Sequence, residues 1–212
     1  MTARERLRAD LFRYRPYREG GRLGRLKTVL GTEALWVIIL YRFGQYLLEE
    51  APRAVRLVLG VPYKIVLKVV QLVTGIHLDP LTQVGPGLYI GHHGGIWITW
   101  AATIGANCNI SQGVTIGRAG PMSRRAPVLG DRVWVGPNAT ITAPARVGSG
   151  AVVAANSLVV SNVPENGVAI GVPARVLSYS GSGHLIDVPG DLDASGARHR
   201  DPRRQPPARD DG

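Results

Sequence analysis

The residues best suited to chemistry are His92 and His93, adjacent in the stretch "IGHHGGIWI" at positions 90 to 98. An imidazole titrates near neutral pH, so one held against a cleft can take a proton as a general base and return it as a general acid. Two histidines between glycines can equally be the polar decoration of a tight turn. Cys108 is the one cysteine, so no intramolecular disulfide can form and nothing calls for an oxidising compartment. The expected location is the cytoplasm. What the histidines do depends on the elements that carry them.

The chain has 212 residues, 45% of them hydrophobic and 19% charged, which suits one fair-sized globular domain with smaller appendages. The N-terminus "MTARERLRADLFRYRPYREGG" lacks the apolar core of a secretory signal, and no export is expected. Of the membrane candidates, "ALWVIILY" is too short, and "AVRLVLGVPYKIVLKVVQLVTG" is interrupted by Arg56, Pro62, Lys64 and Lys68, so neither is expected to span. The net charge of +10 is uneven, because 14 of the 25 Lys and Arg precede residue 76, against 6 Asp and Glu. No nucleic-acid motif accompanies this basic front end, so nucleic acid is not an expected partner, whereas peripheral contact with anionic lipid stays open beside a solvated helical face.

Three regions follow from patterning. Residues 1–75 carry apolar residues at helical spacing: "LKTVLGTEALWVIILYRFGQYLLEE" reads as one helix and "RAVRLVLGVPYKIVLKVVQLV" as another, broken near Gly60 and Pro62. Residues 178–212 are rich in Gly, Pro, Asp and Arg and poor in large apolar side chains, the composition of a disordered tail. Between them, over 76–177, the sequence repeats with a period of six.

Written in sixes, the later part is "LGDRVW VGPNAT ITAPAR VGSGAV VAANSL", each unit opened by an aliphatic residue (Leu129, Val135, Ile141, Val147, Val153) and small or aliphatic at its fifth place. An earlier block opens at Ile98, Ile104, Ile110 and Ile116. One before it opens at Leu78, Val84, Ile90 and Ile96, with two extra residues after Ile96 and a loop at about 117 to 128 to reconcile the registers. Six residues are too few to return through a hairpin, but they fit one flat face of a three-sided coil whose turns are made by Gly and Asn. The fold class is therefore mostly β, a parallel β-helix behind a helical front end. His92, third in its unit, points outward, and Gln112 lies one coil above it. Cys108, at a fifth place, is core.

In "TGIHLDPLTQVGPGLYIGHHGGI", "IGANCNISQGVTIG" and "VPENGVAIGVPARVL" the sequence resembles the hexapeptide-repeat acyltransferases, which fold as left-handed β-helices, and within them the serine O-acetyltransferase-like branch. The resemblance implies a homotrimer, or a dimer of trimers joined through N-terminal helices, with sites in the clefts between neighbours. It implies transfer of an acetyl group from acetyl-CoA to a hydroxyl, without a metal. The family's catalytic histidine falls on His92, leaving His93 to the acceptor pocket. Gln112 matches an acceptor-site position. Arg175 is the candidate for the coenzyme's phosphates, and Gly136, Pro137 and Ala155 resemble places along the pantetheine arm.

The pattern also departs from that family. Serine acetyltransferases proper orient the histidine with a carboxylate fifteen positions earlier, where this chain has His77; Asp79, two residues on, is the expected substitute. The acidic residue before the histidine is Gly91 here, and of an Arg-His pair that holds the serine carboxylate only Arg125 remains, followed by Ala126. L-Serine and a sugar hydroxyl of a cell-envelope polysaccharide pathway thus both stand as acceptors. A noncatalytic β-helix scaffold is the reading from another class. The basic loop "GRAGPMSRRAP" is expected to reach over an active-site cleft.

Overall fold

A computed structural model describes residues 1–120, 125–142 and 144–188. Five helices come first: α1 (Ala3–Phe12), α2 (Arg15–Glu19), α3 (Arg22–Leu30), α4 (Glu33–Glu49) and α5 (Arg53–Thr74). A capping box starts α1, with Thr2 and Glu5 each accepting a hydrogen bond from the other's backbone N–H. The segment read as one helix is two: Gly31 closes α3 through its N–H to the Lys27 carbonyl, and Thr32 is extended before α4 begins. The break expected at Gly60 and Pro62 does not occur, and α5 runs unbroken for 22 residues. Pro62 removes one helical hydrogen bond, on a side where Pro62 and Val58 are both exposed and water can serve the freed carbonyl. The resulting helix is long and apolar enough to cross a bilayer by length and composition, contrary to expectation.

Gly75, left-handed at φ 65°, ends α5 and turns the chain into a three-sided parallel β-helix. The first face stacks β1 (Ile76–Leu78), β4 (Ile96–Ile98), β7 (Thr115–Gly117), β10 (Thr140–Thr142) and β13 (Leu158–Val159). The second stacks β2 (Gln83–Val84), β5 (Thr103–Ile104), β8 (Val128–Leu129) and β11 (Arg146–Val147). The third stacks β3 (Tyr89–Ile90), β6 (Asn109–Ile110), β9 (Trp134–Val135), β12 (Val152–Val153) and β14 (Val168–Gly171), and an antiparallel β15 (Ala174–Ser178) finishes it.

The hexad openers form three buried ladders inside this prism. Leu78, Ile98, Ile116, Ile141 and Val159 stack in register, as do Val84, Ile104, Leu129 and Val147, and Ile90, Ile110, Val135 and Val153. Between the ladders, Ala102, Cys108, Val114, Val133, Ala139, Ala145 and Ala151 fill the fifth places and are buried. Burial pushes the Cys108 thiol up to about 12, so it stays protonated and unreactive. One register detail differs from expectation. Ile96 pairs with Ile76 and opens nothing; it is a fifth-place residue, and the unit from Ile90 to Ile98 holds eight residues.

The first coil has no coil beneath it, so its backbone groups need partners from elsewhere. The helices supply them. Arg42, 1% exposed, donates to the carbonyls of Val84 and Gly85 at 2.9 and 2.6 Å and pairs with the fully buried Asp10 at 2.7 Å. Asp10 in turn accepts the N–H groups of Gly87 and Leu88, each at 2.8 Å. Tyr41 donates to the Thr82 carbonyl, Tyr14 to that of Ile90 and Arg13 to that of Gly87. Leu35, Val37 and Ile38 of α4 continue the apolar core across the same end.

Instead of a disordered tail from residue 178, residues 178 to 188 are held against the prism, reaching from Asn166 of the last coil back to Arg13 at the first. Gly181 and Ser182 donate backbone N–H bonds to Asn166 and Gly150, Ile186 is buried, and the Asp187 carbonyl accepts from Arg13 at 2.9 Å. These few contacts anchor residues 181 to 187 without an apolar run. Residues 189 to 212 of the expected tail lie outside the described residues.

Candidate active site

The corner between the third and first faces recurs in successive coils, and most of the sequence-nominated residues fall on it. Each copy ends in a left-handed residue: Gly75, Gly95, Gly113, Asn138 and Asn156, with φ between 56° and 72° in every case. The residues just before them form a column of Gly94, Gln112, Pro137 and Ala155, tied by hydrogen bonds from Gly113 N–H to Gly94 O (2.9 Å), Asn138 N–H to Gln112 O (2.9 Å) and Asn156 N–H to Pro137 O (2.8 Å). Gln112 therefore stacks on Gly94, not on His92. The two extra residues of the eight-residue unit are His92 and His93 themselves, pushed out beside the column.

The glycines explain how the chain can do this. Gly94 and Gly95 both have positive φ, at 105° and 65°, and a Cβ at Gly95 would also press on the backbone of Gly113 at 3.4 Å. Both histidines are exposed. Among the described residues His92 has no hydrogen-bond partner. His93 Nδ1 lies 3.4 Å from Glu33 Oε2, at the start of α4. Gly91 is the exception among these glycines: its φ is not left-handed, and an added Cβ would meet only the Tyr89 ring at 3.4 Å. The absence of an acidic side chain there is not forced by the backbone.

The proposed orienting residues take other roles. His77 stands at the start of the first face, its ring tilted against that of Trp97 one rung above, with centroids 4.1 Å apart; partial burial first, and then the nearby Lys68 cation, hold its pKa below the ordinary imidazole value and so favour the neutral form. Asp79 stands at the far end of that face, where its Oδ1 accepts the Leu81 N–H at 2.8 Å and its carbonyl accepts the Thr82 N–H. It is a turn-forming carboxylate. Among the described residues neither His77 nor Asp79 makes a hydrogen bond to His92.

Of the acceptor and coenzyme candidates, Gln112 and Pro137 are half-buried and Ala155 exposed along the column. Gly136 is required for packing, since a Cβ there would fall 2.7 Å from the Ala155 nitrogen. Arg175, exposed, lies on β15 across from Ile170, near the top of the same corner. Neighbouring strands being about 4.8 Å apart, the column from Gly94 to Ala155 spans roughly 14 Å. Arg125 is not on this edge: it leads into β8, at the corner between the first and second faces. Of the basic loop, positions 121 to 124 lie outside the described residues, and Arg118 stacks over Trp100 at 5.7 Å.

Sequence reasoning did not find Glu33 or Trp97. Glu33 is sixty positions from His93 and belongs to another pattern, so no local signal links them. Trp97 is legible in principle, as the outward residue of β4 one rung above His77. The arrangement offers an exposed imidazole, unpaired among the described residues, beside the column of Gly94, Gln112, Pro137 and Ala155, which suits general-base chemistry. Among the described residues no group of three or more His, Cys, Asp or Glu gathers as metal ligands would.

Residues 126–161 match the family model described as bacterial transferase hexapeptide (six repeats). The chain is 34% identical over 111 residues to the serine acetyltransferase of Mycobacterium tuberculosis, a match covering 52% of this chain and 48% of that protein. It is 36% identical over 112 residues to that of Synechococcus elongatus, covering 52% and 46%. The matches thus span about half the length of these curated relatives. Among solved structures, serine acetyltransferase from Neisseria gonorrhoeae in complex with serine superposes with a TM-score of 0.68 at 27% identity, over 83% of this chain and 69% of that one. The soybean serine acetyltransferase apoenzyme gives 0.68 at 29% identity over the same shares. By sequence over about half of its length and by fold over most of it, the chain is similar to serine acetyltransferases.

Proposed function

We propose that this protein transfers the acetyl group of acetyl-CoA to a hydroxyl, with His92 as general base. The observation that carries the reading is the two-residue excursion that lifts an unpartnered imidazole out of an otherwise regular corner, in a chain similar to serine acetyltransferases. The His92 imidazole accepts the hydroxyl proton as the oxygen attacks the thioester carbonyl. Collapse of the tetrahedral intermediate breaks the carbon–sulfur bond, and the imidazolium gives its proton to the departing thiolate. The products are an acetyl ester and free coenzyme A. Backbone N–H groups at the glycine-rich corner are suited to the oxyanion.

The coenzyme's arm would run along Gln112, Pro137 and Ala155 with its phosphates toward Arg175, whose fixed charge suits them. Three copies around an axis would give each histidine corner a neighbour, and Arg125, on a different edge of the prism, would serve the neighbour's cleft. The cytoplasm supplies the acetyl-CoA.

L-Serine is the acceptor that the names of the relatives support. A second reading, a hydroxyl acceptor without an ammonium group such as a sugar, is favoured by Gly91, which offers no carboxylate although the backbone would allow one. Thiol release from acetyl-CoA with L-serine, homoserine and simple sugars separates the two. Turnover with L-serine alone supports the first, turnover with sugars alone the second, and no turnover with any of them rejects the transferase reading in favour of a scaffold.

A further inference from the structure

We propose that α5 docks the protein on an anionic phospholipid surface, lying in the headgroup region without crossing it. Val58, Val61, Ile65, Val69 and Leu72 recur at spacings of three and four, so they form one stripe along the helix. All five are more than half exposed, from 53% at Val69 to 71% at Val58. An apolar stripe of this length left facing solvent marks an interaction surface.

The opposite side of the helix is fastened to the protein. Leu67 and Thr74 are buried, the Tyr63 hydroxyl donates to the Leu40 carbonyl at 3.1 Å, and Gln71 donates to the Leu78 carbonyl at 3.3 Å. A helix strapped along its length to α4 and β1 cannot leave them to span a bilayer, but its free stripe can sink into one.

Charge selects the partner. Among the 22 residues of α5 there is no Asp or Glu, while Arg53, Arg56, Lys64 and Lys68 are cationic. α3 repeats the combination: Leu23, Leu26 and Leu30 are exposed, Arg22, Arg25 and Lys27 lie among them, and no acid is present. A second copy of this surface would set cations against cations. Anionic headgroups satisfy the cations while the acyl boundary takes the stripe, with the lysine stems reaching up to the phosphates. Since α5 runs straight into Gly75, whose carbonyl accepts the Ile96 N–H at 3.0 Å next to the histidine corner, docking also fixes how near that corner lies to the membrane. None of this depends on the acetyl-transfer reading, and its test uses no activity.

The test is sedimentation of the full chain with vesicles of phosphatidylcholine alone and of phosphatidylcholine containing about one-third phosphatidylglycerol. The expected result is binding to the anionic vesicles only, weakening as salt rises. Ile65→Asp with Val69→Asp, both at exposed positions, should abolish binding while leaving the melting temperature unchanged. Lys64→Gln with Lys68→Gln should weaken partitioning about fivefold per cation removed. Equal binding to neutral vesicles, no binding to either, or full binding by the double aspartate variant would overturn the proposal. So would a concentration-dependent rise in mass, without lipid binding, that the double aspartate variant removes, because the occupant would then be a second copy.

Discussion

Two corners of the same prism obey the six-residue rule to different degrees. At the corner between the second and third faces, Gly85, Gly105, Gly130 and Gly148 repeat in register, and a Cβ on any of them would fall 2.4 to 2.6 Å from the next coil. The left-handed place that follows is filled by Gly87, Asn107, Arg132 and Gly150. At the corner between the third and first faces, only Gly136 is so tightly packed, side chains vary from Gln112 to Pro137 to Ala155, and two extra residues loop out. The first corner is where the coil is built. The second, freed of that duty in one coil, is where an imidazole can be presented.

This contrast can be broken or sharpened by substitution. His92→Ala should lower kcat about 10²- to 10⁴-fold while the thermal unfolding curve stays in place, because His92 is exposed and lies outside the stacked column. Loss of fold along with activity would erase the distinction between the corners. Gly105→Ala should do the reverse, destabilising the protein by about 1–3 kcal/mol through a Cβ placed 2.5 Å from the Gly130 backbone, read as a lower denaturant midpoint. The same change at Gly91, where the nearest atom is 3.4 Å away, should stay within about 0.5 kcal/mol. A cost at Gly91 equal to that at Gly105 would mean that both corners are structural. Smallest of all, Glu33→Gln should alter stability by about 0.2–1 kcal/mol or less, the range of an exposed ion pair, and should change kcat/KM far less than His92→Ala does.

The repeat was the most legible part of the molecule because each hexad carries its own instruction: an aliphatic residue at the first place and a small one at the fifth. Every opener from Leu129 to Val153 is buried as that pattern requires. The pattern failed only where it is interrupted. Ile96 looks like an opener by counting, but the sequence holds no mark showing that the extra pair precedes it; only the parallel register with Ile76 decides that. The helical front end was legible as helix but not as to its breaks. Gly31 stops a helix and Gly60 does not, since beyond Gly60 the same helix is held by Tyr63, bonded to the Leu40 carbonyl, and by the buried Leu67. The local use of Asp79 is illegible for a similar reason. Period-two geometry puts it on the same side of the strand as His77, but its carboxylate is used locally, two residues on. Residues 181 to 187 were missed because backbone bonds and a single buried Ile186 hold them, with no apolar run to read.

A parallel coil is a one-dimensional crystal: whatever ends one rung is a template for the next, in the same chain or another. The Asp10, Arg13, Tyr14, Tyr41 and Arg42 contacts occupy that template on the first coil. Seen so, the basic helical front end is also a growth terminator. A chain deprived of it would present an open β-face, and what it would lose first is solubility, by end-to-end stacking into fibres.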